Sequence, residues 1–369
     1  MPSETQRLYY PDSSDDWEQR APADVGMDSA TLEMAVDFAR DPAHEGFGRD
    51  LRAEWDASNG GKAHDDARIL GPMQDRGQAS GVILRHGYIV CEWGEPERVD
   101  MTFSISKSFL STVAGLAWDR GLIRDLNDPV ADYVADGGYD SDHNRHITWD
   151  HSLRQTSEWE GTLWEKHYAA GNPDDRLLEP VEPGTRFEYN DVRVNRFALS
   201  LLRVWKRPLP DVLREHVMGP IGATDTWQWH GYGNSWVDVE GQRLHSVSGG
   251  GHWGGGMWIS ARDQARFGYL SLRRGRWQDR QILSDEWIRM ATTPTGLGSD
   301  FGFMNWTLNT DQGNVPSAPA SCSYHSGAGS NRIFSDPEHD LVIVSRWLSG
   351  DHYDGFIRRV LSAIRPEDC

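Results

Sequence analysis

The sequence predicts an α+β fold in which an antiparallel sheet, flanked by terminal helices and built from both ends of the chain, carries an inserted, mainly helical domain. Three observations favour this fold. A helical pattern and a hairpin pattern lie near the start, helical patterns dominate the middle, and β-rich runs with a closing helix return at the end. The predicted boundaries are 1–103 plus 262–369 for the sheet domain and 104–261 for the helical domain.

The elements of the sheet domain follow from local patterns. Ser29–Arg40 combines an N-cap candidate with apolar residues at helical spacing, which predicts a surface helix. Gly81–Gly94 contains two β-rich runs around His86-Gly87, which predict a hairpin. Near the other end we expect strands in FGFMNWTL, CSYHSG, NRIFSD and LVIVSRW, and then a helix over Tyr353–Ala363.

The middle of the chain reads as helices joined by polar loops. From Ser104, the segment SISKSFLSTVAGLAWDRG places its apolar residues on one side, with Gly121 as a stop. Further helices are predicted at Val192–Trp205, Pro210–Met218 and Ala261–Arg274. The connections between them are rich in Gly and Trp, which is typical of loops that contact ligands.

Charge and composition exclude several classes of partner. The 369-residue chain has a net charge of -19 and no dense run of Lys or Arg, which disfavours nucleic acid and anionic membranes. The first residues lack the basic start and apolar stretch of a signal peptide, and no window approaches 18 consecutive apolar residues. We therefore expect a cytoplasmic protein that acts on a small molecule, while the oligomeric state stays open.

The first candidate for chemistry is Ser104-Ile105-Ser106-Lys107, a Ser-x-x-Lys placed where the extended segment VDMTF turns into a helix. Residues three apart share a helix face, so the Lys107 amine can reach the Ser104 hydroxyl. A serine nucleophile needs a nearby base, and a helix N-terminus favours negative charge on its oxygen. A Ser-x-x-Lys motif can also occur by chance in a chain of this length. Its position where an extended segment turns into a helix is what strengthens the prediction of a nucleophile.

The second candidate is EPGTRFEYND, in which a Pro183-Gly184 turn leads to Tyr189 and Asp191 just ahead of a helix. A tyrosine at this position can exchange a proton with the serine or the leaving group, helped by a cation such as Lys107. The alternative is a core tyrosine, with Asp191 as the helix N-cap. Asp191 can belong to the catalytic element and cap the helix at the same time.

The third candidate is CSYHSGAGSNRIF, where a β-like run ends in His325-Ser326-Gly327 before a glycine-containing turn. A small residue lets the backbone approach a substrate closely. An edge strand also offers unpaired N–H groups, so the N–H of Ala328 is a candidate to complete an oxyanion hole with that of Ser104. Taken alone, His325 is more often a structural histidine.

In this order, the three elements resemble the Ser-x-x-Lys, Tyr-x-Asn and Lys-Thr-Gly elements of the serine β-lactamase and penicillin-binding-protein superfamily. The segments GLIRDLNDPVADYV and LRQTSEWEG resemble the family's stretches after the nucleophile helix and before the tyrosine. The resemblance covers most of the chain and implies a β-lactamase/transpeptidase-like fold. It also implies Ser104 as nucleophile, Lys107 as its proton acceptor, Tyr189 as the acid/base for the leaving group and Ala328 as an oxyanion donor.

Two departures from the family pattern point to one of its branches. Asp191 stands where β-lactamases carry asparagine, and His325 stands in place of lysine. Both departures disfavour an efficient β-lactamase and resemble the esterase and 6-aminohexanoate-dimer hydrolase branch, whose substrates are linear amides or esters. The resemblance implies that His325, Gly327 and Asp191 bind substrate, with His325 orienting it or tuning Tyr189.

The glycine run GGGHWGGG, from Gly249 to Gly256, formally contains G-x-G-x-x-G, but no clear strand precedes it and no βαβ setting follows. We interpret it as a loop that lets Trp253 and Trp258 approach the cleft. Trp159 and Trp164 are further candidates for an apolar pocket wall, with core packing an equal alternative. Because neither H-E-x-x-H nor G-x-S-x-G occurs, and no histidine set suits a metal, we expect no metal ion and no organic cofactor.

These observations predict a serine hydrolase that cleaves a small amide or ester through an acyl-enzyme on Ser104. Two rivals use the same residues: an acyltransferase that passes the acyl group to an amine or alcohol, and a ligand sensor of the penicillin-binding type that does not turn over. The presence of Ser104, Lys107 and Tyr189 together favours an enzyme, because a binding module does not need that set.

Overall fold

The computed structural model describes residues 8–13, 17–58, 70–171, 179, 181–250, 255–304 and 306–365. Its α-helices are α1 (Ser29–Arg40), α2 (Leu51–Ser58), α3 (Ser106–Asp119), α4 (Trp149–Leu153), α5 (Asp191–Trp205), α6 (Leu209–Leu213), α7 (Ala261–Leu272), α8 (Asp285–Ala291) and α9 (Gly350–Ser362). Its strands are β1 (Ser80–Arg85), β2 (Tyr88–Trp93), β3 (Asp100–Met101), β4 (Thr162–Leu163), β5 (Lys166–His167), β6 (Gln228–His230), β7 (Trp236–Val239), β8 (Gln242–His245), β9 (Gly256–Ile259), β10 (Arg276–Trp277), β11 (Arg280–Gln281), β12 (Thr307–Leu308), β13 (Ser323–Gly327), β14 (Asn331–Asp336) and β15 (Leu341–Arg346).

The main sheet has the strand order β12-β13-β14-β15-β1-β2, and its neighbouring strands are antiparallel. β1 pairs with β15, with Val82 opposite Val344, so strands from the two ends of the chain meet inside one sheet. A smaller sheet of order β3-β9-β6 lies beside it. The prediction of an α+β fold with an antiparallel sheet built from both ends is confirmed.

Helices cover both faces of the main sheet. α1 and α9 pack together on one face, where Val36 and Phe356 join Ile83 in a buried cluster. α7 lies on the other face, where Phe267 and Val82 belong to a second cluster. The neighbouring residues Val82 and Ile83 belong to different clusters because successive side chains of a strand point to opposite faces of the sheet. The second cluster continues into α3 and α5, which brings the start of α3 next to the sheet.

Most predicted elements are confirmed. α1 occupies the predicted residues, but its N-cap is Asp28, which accepts a hydrogen bond from Thr31 N, and not the candidate within Ser29–Arg40. β1 and β2 form the predicted hairpin, with His86 and Gly87 both at positive φ in the turn. The helices expected near 192–205 and 261–274 are α5 and α7, and the one expected over 210–218 is α6 with a following π turn, Arg214–Met218.

The segment 301–308 differs from its predicted strand, because only Thr307–Leu308 pairs in the sheet. Gly302 lies so close to the Ala291 carbonyl that a Cβ would be 1.7 Å from the oxygen, and Met304 has a φ of 54°. Phe303 and Met304 are both buried. The apolar residues of this segment therefore predicted burial correctly, but the backbone before Thr307 is folded rather than extended.

No helix within the described ranges is long and apolar enough to cross a membrane. The division into 1–103 plus 262–369 and 104–261 stays a prediction. Cys91 and Cys322 are free thiols, and Cys369 lies outside the described residues.

Candidate active site

A strained turn presents Ser104. The 3-10 turn Phe103–Ile105 leads directly into α3, so the α-helix begins two residues later than the predicted start. Phe103 has a φ of 51°, a left-handed conformation that is costly for an aromatic residue. Ser106 holds the turn, because its Oγ donates to Phe103 O at 2.6 Å and accepts from Met257 N at 3.1 Å. Ser104 itself is partly exposed.

Lys107 contacts the Ser104 hydroxyl, as the three-residue spacing predicts. Its Nζ donates to Ser104 Oγ at 2.9 Å and lies 2.5 Å from Asp191 Oδ1. The Lys107 side chain is 0% exposed, and its Nζ is 4.7 Å from the ring centre of Tyr189. Burial lowers the pKa of Lys107, but Asp191 and Tyr189 raise this pKa by more, so it lies above its ordinary value. Lys107 is therefore an ammonium at neutral pH.

The start of α5 supplies the partners of Lys107. Asn190, not Asp191, is the N-cap, since its Oδ1 accepts from Arg193 N at 3.0 Å. The alternative that made Asp191 the cap is therefore wrong. Asp191 is the first helical residue, where the helix dipole favours a carboxylate, and it faces Lys107. Tyr189 precedes the helix, with its ring edge-on to Phe301.

Gly250 packs against the charged pair. A Cβ at this position would lie 2.3 Å from Lys107 Nζ and 2.8 Å from Asp191 Oδ1, so a side chain cannot be accommodated without displacing them. The neighbouring Gly249 N donates to Asn195 Oδ1 at 3.0 Å, which fixes the backbone on α5. The sequence placed this glycine run at the cleft but assigned no role to Gly250. The three consecutive glycines were the available signal.

β13 brings its last residue against the nucleophile turn. A Cβ on Gly327 would lie 2.2 Å from Thr102 O and 3.2 Å from Ser104 N, so the approach requires glycine. Ala328 follows at once, is exposed, and begins the short turn Ala328–Ser330. The backbone of Gly327, the residue before Ala328, therefore lies beside the N–H of Ser104, which is the neighbourhood that an oxyanion hole needs.

His325 faces the core and not the mouth of the site. It is 1% exposed, and its Nδ1 lies 2.9 Å from Ser108 Oγ on α3. The rings of Trp306 and Phe267 pack around it at 4.4 and 5.6 Å between centres. The imidazole therefore joins β13 to α3, and the contact of His325 with substrate stays a prediction. Ser108 was missed, although it follows Ser104 by four residues and so shares its helix face.

The tryptophans predicted to line the pocket mostly pack in the core. Trp159 is 3% exposed, and its indole N–H donates to a backbone carbonyl at 2.7 Å. Trp258 is 1% exposed and belongs to a separate buried cluster. This burial favours core packing, the alternative given above, and the contact of either side chain with substrate stays a prediction. Trp164 is half-buried against Tyr232, and Trp253 lies outside the described residues.

The arrangement joins a hydroxyl, an ammonium, a carboxylate and a phenol, with backbone N–H groups alongside. These are the parts needed to attack a carbonyl, to move protons and to stabilise an oxyanion. Within the described ranges, no group of three or more His, Cys, Asp or Glu side chains could hold a metal ion.

The family model described as Beta-lactamase matches residues 93–345, which is more than half of the chain and includes Ser104, Lys107, Tyr189 and Gly327. This chain belongs to the Beta-lactamase family. Its membership confirms the predicted relationship to the serine β-lactamase and penicillin-binding-protein superfamily, and it supports a hydrolase.

Three proteins similar to this Beta-lactamase family chain share between 16% and 26% sequence identity with it. Protein Rv1367c of Mycobacterium tuberculosis is 26% identical over 204 residues, which cover 44% of this chain and 49% of that protein, so the match spans about half of the relative's length. A beta-lactamase from Mycobacterium bovis superposes with a TM-score of 0.56 at 20% identity, covering 78% of this chain and 95% of that one. EstCE1, described as a hydrolase with promiscuous acyltransferase activity, gives a TM-score of 0.57 at 16% identity, with 91% and 99% covered. At these identities the two structures show a shared fold.

Proposed function

We propose that this chain is a serine hydrolase that cleaves a small amide or ester through an acyl-enzyme on Ser104. The observation that carries the proposal is the 2.9 Å hydrogen bond from Lys107 Nζ to Ser104 Oγ, at the turn where Gly327 meets the Ser104 N–H. Acyl transfer needs a nucleophile, a proton carrier and oxyanion donors, and all three meet at this turn.

The charged pair defines how the Ser104 proton leaves. An ammonium cannot accept a proton, so Lys107 first passes one to Asp191 across the 2.5 Å contact. The neutral amine then takes the Ser104 proton as Oγ bonds to the substrate carbonyl carbon. Tyr189 protonates the departing amine or alcohol and recovers a proton from Lys107. Asp191 returns its proton to Lys107, so the acyl-enzyme carries the same charged pair as the free protein.

Two backbone donors stabilise the tetrahedral oxyanion in this scheme. They are the N–H groups of Ser104 and Ala328, and loss of one such donor generally costs about 10²–10³-fold in kcat. Water then attacks the acyl carbon and gives its proton to the same relay, and Ser104 leaves with a proton. The products are a carboxylic acid and the regenerated hydroxyl.

The test compares turnover of a p-nitrophenyl ester and its anilide by the native protein and three variants. Ser104→Ala should abolish turnover of both substrates without unfolding the chain. Tyr189→Phe should slow the anilide more than the ester, because nitrophenolate leaves without a proton. Tyr133→Phe is the matched control and should leave both rates unchanged, because the Tyr133 hydroxyl contacts Arg124 and Asp128 rather than Ser104 or Lys107. Full activity of Ser104→Ala would contradict the proposal.

Acyl transfer is the second candidate, since it uses the same intermediate and EstCE1 is described as having promiscuous acyltransferase activity. Product analysis in the presence of added methanol or a primary amine separates the two reactions. Acid alone supports the hydrolase, and a methyl ester or amide formed at the expense of acid supports the acyltransferase. A single acylation without turnover would instead support the sensor.

A further inference from the structure

Arg346 is a buried cation at the end of β15, with 1% of its surface exposed. Its guanidinium donates to the carbonyl oxygens of Ile259 at 2.9 Å, Met101 at 3.2 Å and Arg98 at 3.3 Å. Met101 ends β3, the strand that leads into the Ser104 turn, and Ile259 ends its partner β9. One side chain therefore joins the main sheet to both of these strands.

Asn331 extends this contact to the other side of the site. Arg346 Nε donates to Asn331 Oδ1 at 3.0 Å, and Asn331 Nδ2 donates to Ala328 O at 2.8 Å. Asn331 is 0% exposed. The turn that begins at Ala328 is also fixed by Gly329, whose φ is 71° and whose Cβ, if present, would lie 2.6 Å from the Trp347 ring. The carbonyl of the predicted oxyanion donor is thus tied to a buried cation through one asparagine.

We propose that Arg346 and Asn331 are positioning residues that fix the separation between the two oxyanion donors, the N–H groups of Ser104 and Ala328. This role depends on the proposed function, because the oxyanion hole is part of it. Three hydrogen bonds connect the two sides: Met101 O to Arg346, Arg346 to Asn331, and Asn331 to Ala328 O.

A guanidinium suits this position because its planar fork donates in fixed directions to several acceptors, whereas the ammonium of lysine is a flexible point charge. Burial lowers the pKa of Arg346 to about 10, and Asp100 opposes the decrease. Arg346 therefore stays cationic at neutral pH and keeps all of its donors.

The experiment tests separately the hydrogen bond from Asn331 to Ala328 and the guanidinium of Arg346. Asn331→Asp keeps an oxygen that accepts from Arg346 but loses the N–H that donates to Ala328 O. The contact of residue 331 with Arg346 is therefore retained, while the turn that begins at Ala328 is released. Arg346→Lys removes the fork itself. Arg266→Lys is the matched control, because Arg266 is also buried and donates to backbone carbonyls, those of Ile221 and Asp12 at 2.9 and 3.0 Å, away from Ser104.

The readouts are kcat and KM for a p-nitrophenyl ester and the Kd of a trifluoromethyl ketone, which forms a tetrahedral oxyanion on the serine. Asn331→Asp and Arg346→Lys should lower kcat about 10–10²-fold and weaken the ketone by the same factor, with KM little changed. Arg266→Lys should change neither quantity. Native-like kcat and ketone affinity in Asn331→Asp would overturn the positioning role.

Labelling of the native protein by a fluorophosphonate shows whether a negative result refutes only the positioning role of Arg346 and Asn331 or also the proposed function. An adduct on Ser104 together with a native-like Asn331→Asp variant refutes the positioning role alone. Absence of any adduct on Ser104 refutes the proposed function and the positioning role with it.

Discussion

Replacing Asp191 by Asn tests the charged pair at the centre of the site. The variant leaves Lys107, whose side chain is 0% exposed, without the carboxylate 2.5 Å away. Removing one partner of a buried ion pair costs about 3–5 kcal/mol, and we expect the lower end, about 3 kcal/mol, because the Asp191 side chain is 19% exposed and water can reach it. With an unfolding entropy of about 2.1 cal/mol/K per residue, the 369 residues convert this loss into a Tm decrease of about 4 °C.

The decrease in Tm depends on pH in a definite direction. In the native protein the pKa of Lys107 is raised, so the pair contributes fully below the unfolded lysine pKa of about 10.4, and its contribution is lost as pH rises through the folded pKa. In Asp191→Asn only Tyr189 still opposes burial, which is the largest single influence on Lys107, so we expect the pKa of Lys107 to fall below its ordinary value. The variant therefore gains stability as Lys107 becomes neutral. The difference in Tm should be largest at pH 7 and smaller at pH 10.

Asp136→Asn is the matched control for this pH dependence. Asp136 is 5% exposed and pairs with Arg196 and Arg203 at 2.6 Å each. Arginine stays charged at pH 10, so the Tm deficit of this variant should not shrink. Thermal melts of the native protein and both variants at pH 7, 8, 9 and 10 make the comparison. A pH-independent deficit in Asp191→Asn would refute the inference that Asp191 holds Lys107 in its charged form, and with it the proposed proton path.

Two further variants test contacts around the nucleophile. Gly250→Ala should lower kcat by about 10²-fold, because its Cβ would lie 2.3 Å from Lys107 Nζ and must displace it. Gly355→Ala in α9 is the control and should leave kcat unchanged, because the nearest atom to its Cβ would be 3.4 Å away. Equal kcat values for the two variants would contradict the close approach of Gly250 to Lys107. Ser108→Ala should lower the free energy of unfolding by about 1–3 kcal/mol in chemical denaturation, because it leaves the buried His325 Nδ1 without this partner, and an unchanged free energy would show that the hydrogen bond contributes nothing.

The elements that the sequence predicted well are those whose signals are local. α1 carries apolar residues at helical spacing behind a capping side chain, and the first hairpin has His86-Gly87 in its turn. The Lys107 contact with Ser104 was equally predictable, since it needs only a helix and a spacing of three residues. Each of these features depends on a short stretch of chain.

The features that the sequence did not predict depend on tertiary packing. The sequence of Trp159 and Trp258 is compatible with a pocket wall or with the core, and only the packing around them, which buries both, favours the core. His325 likewise turns toward Ser108, because β13 lies against α3. Arg346 carried no local signal at all, since its hydrogen-bond partners come from distant segments of the chain.

The central claim, that Ser104 is the nucleophile of a hydrolase, is tested most directly by intact-protein mass spectrometry. The native protein and Ser104→Ala are exposed to a fluorophosphonate and, separately, to a p-nitrophenyl ester, with peptide mapping of any adduct. We expect one fluorophosphonate adduct per native chain, located on Ser104, steady release of nitrophenolate from the ester, and neither with Ser104→Ala. A native protein that forms no adduct, or an adduct that persists in Ser104→Ala, would contradict the claim.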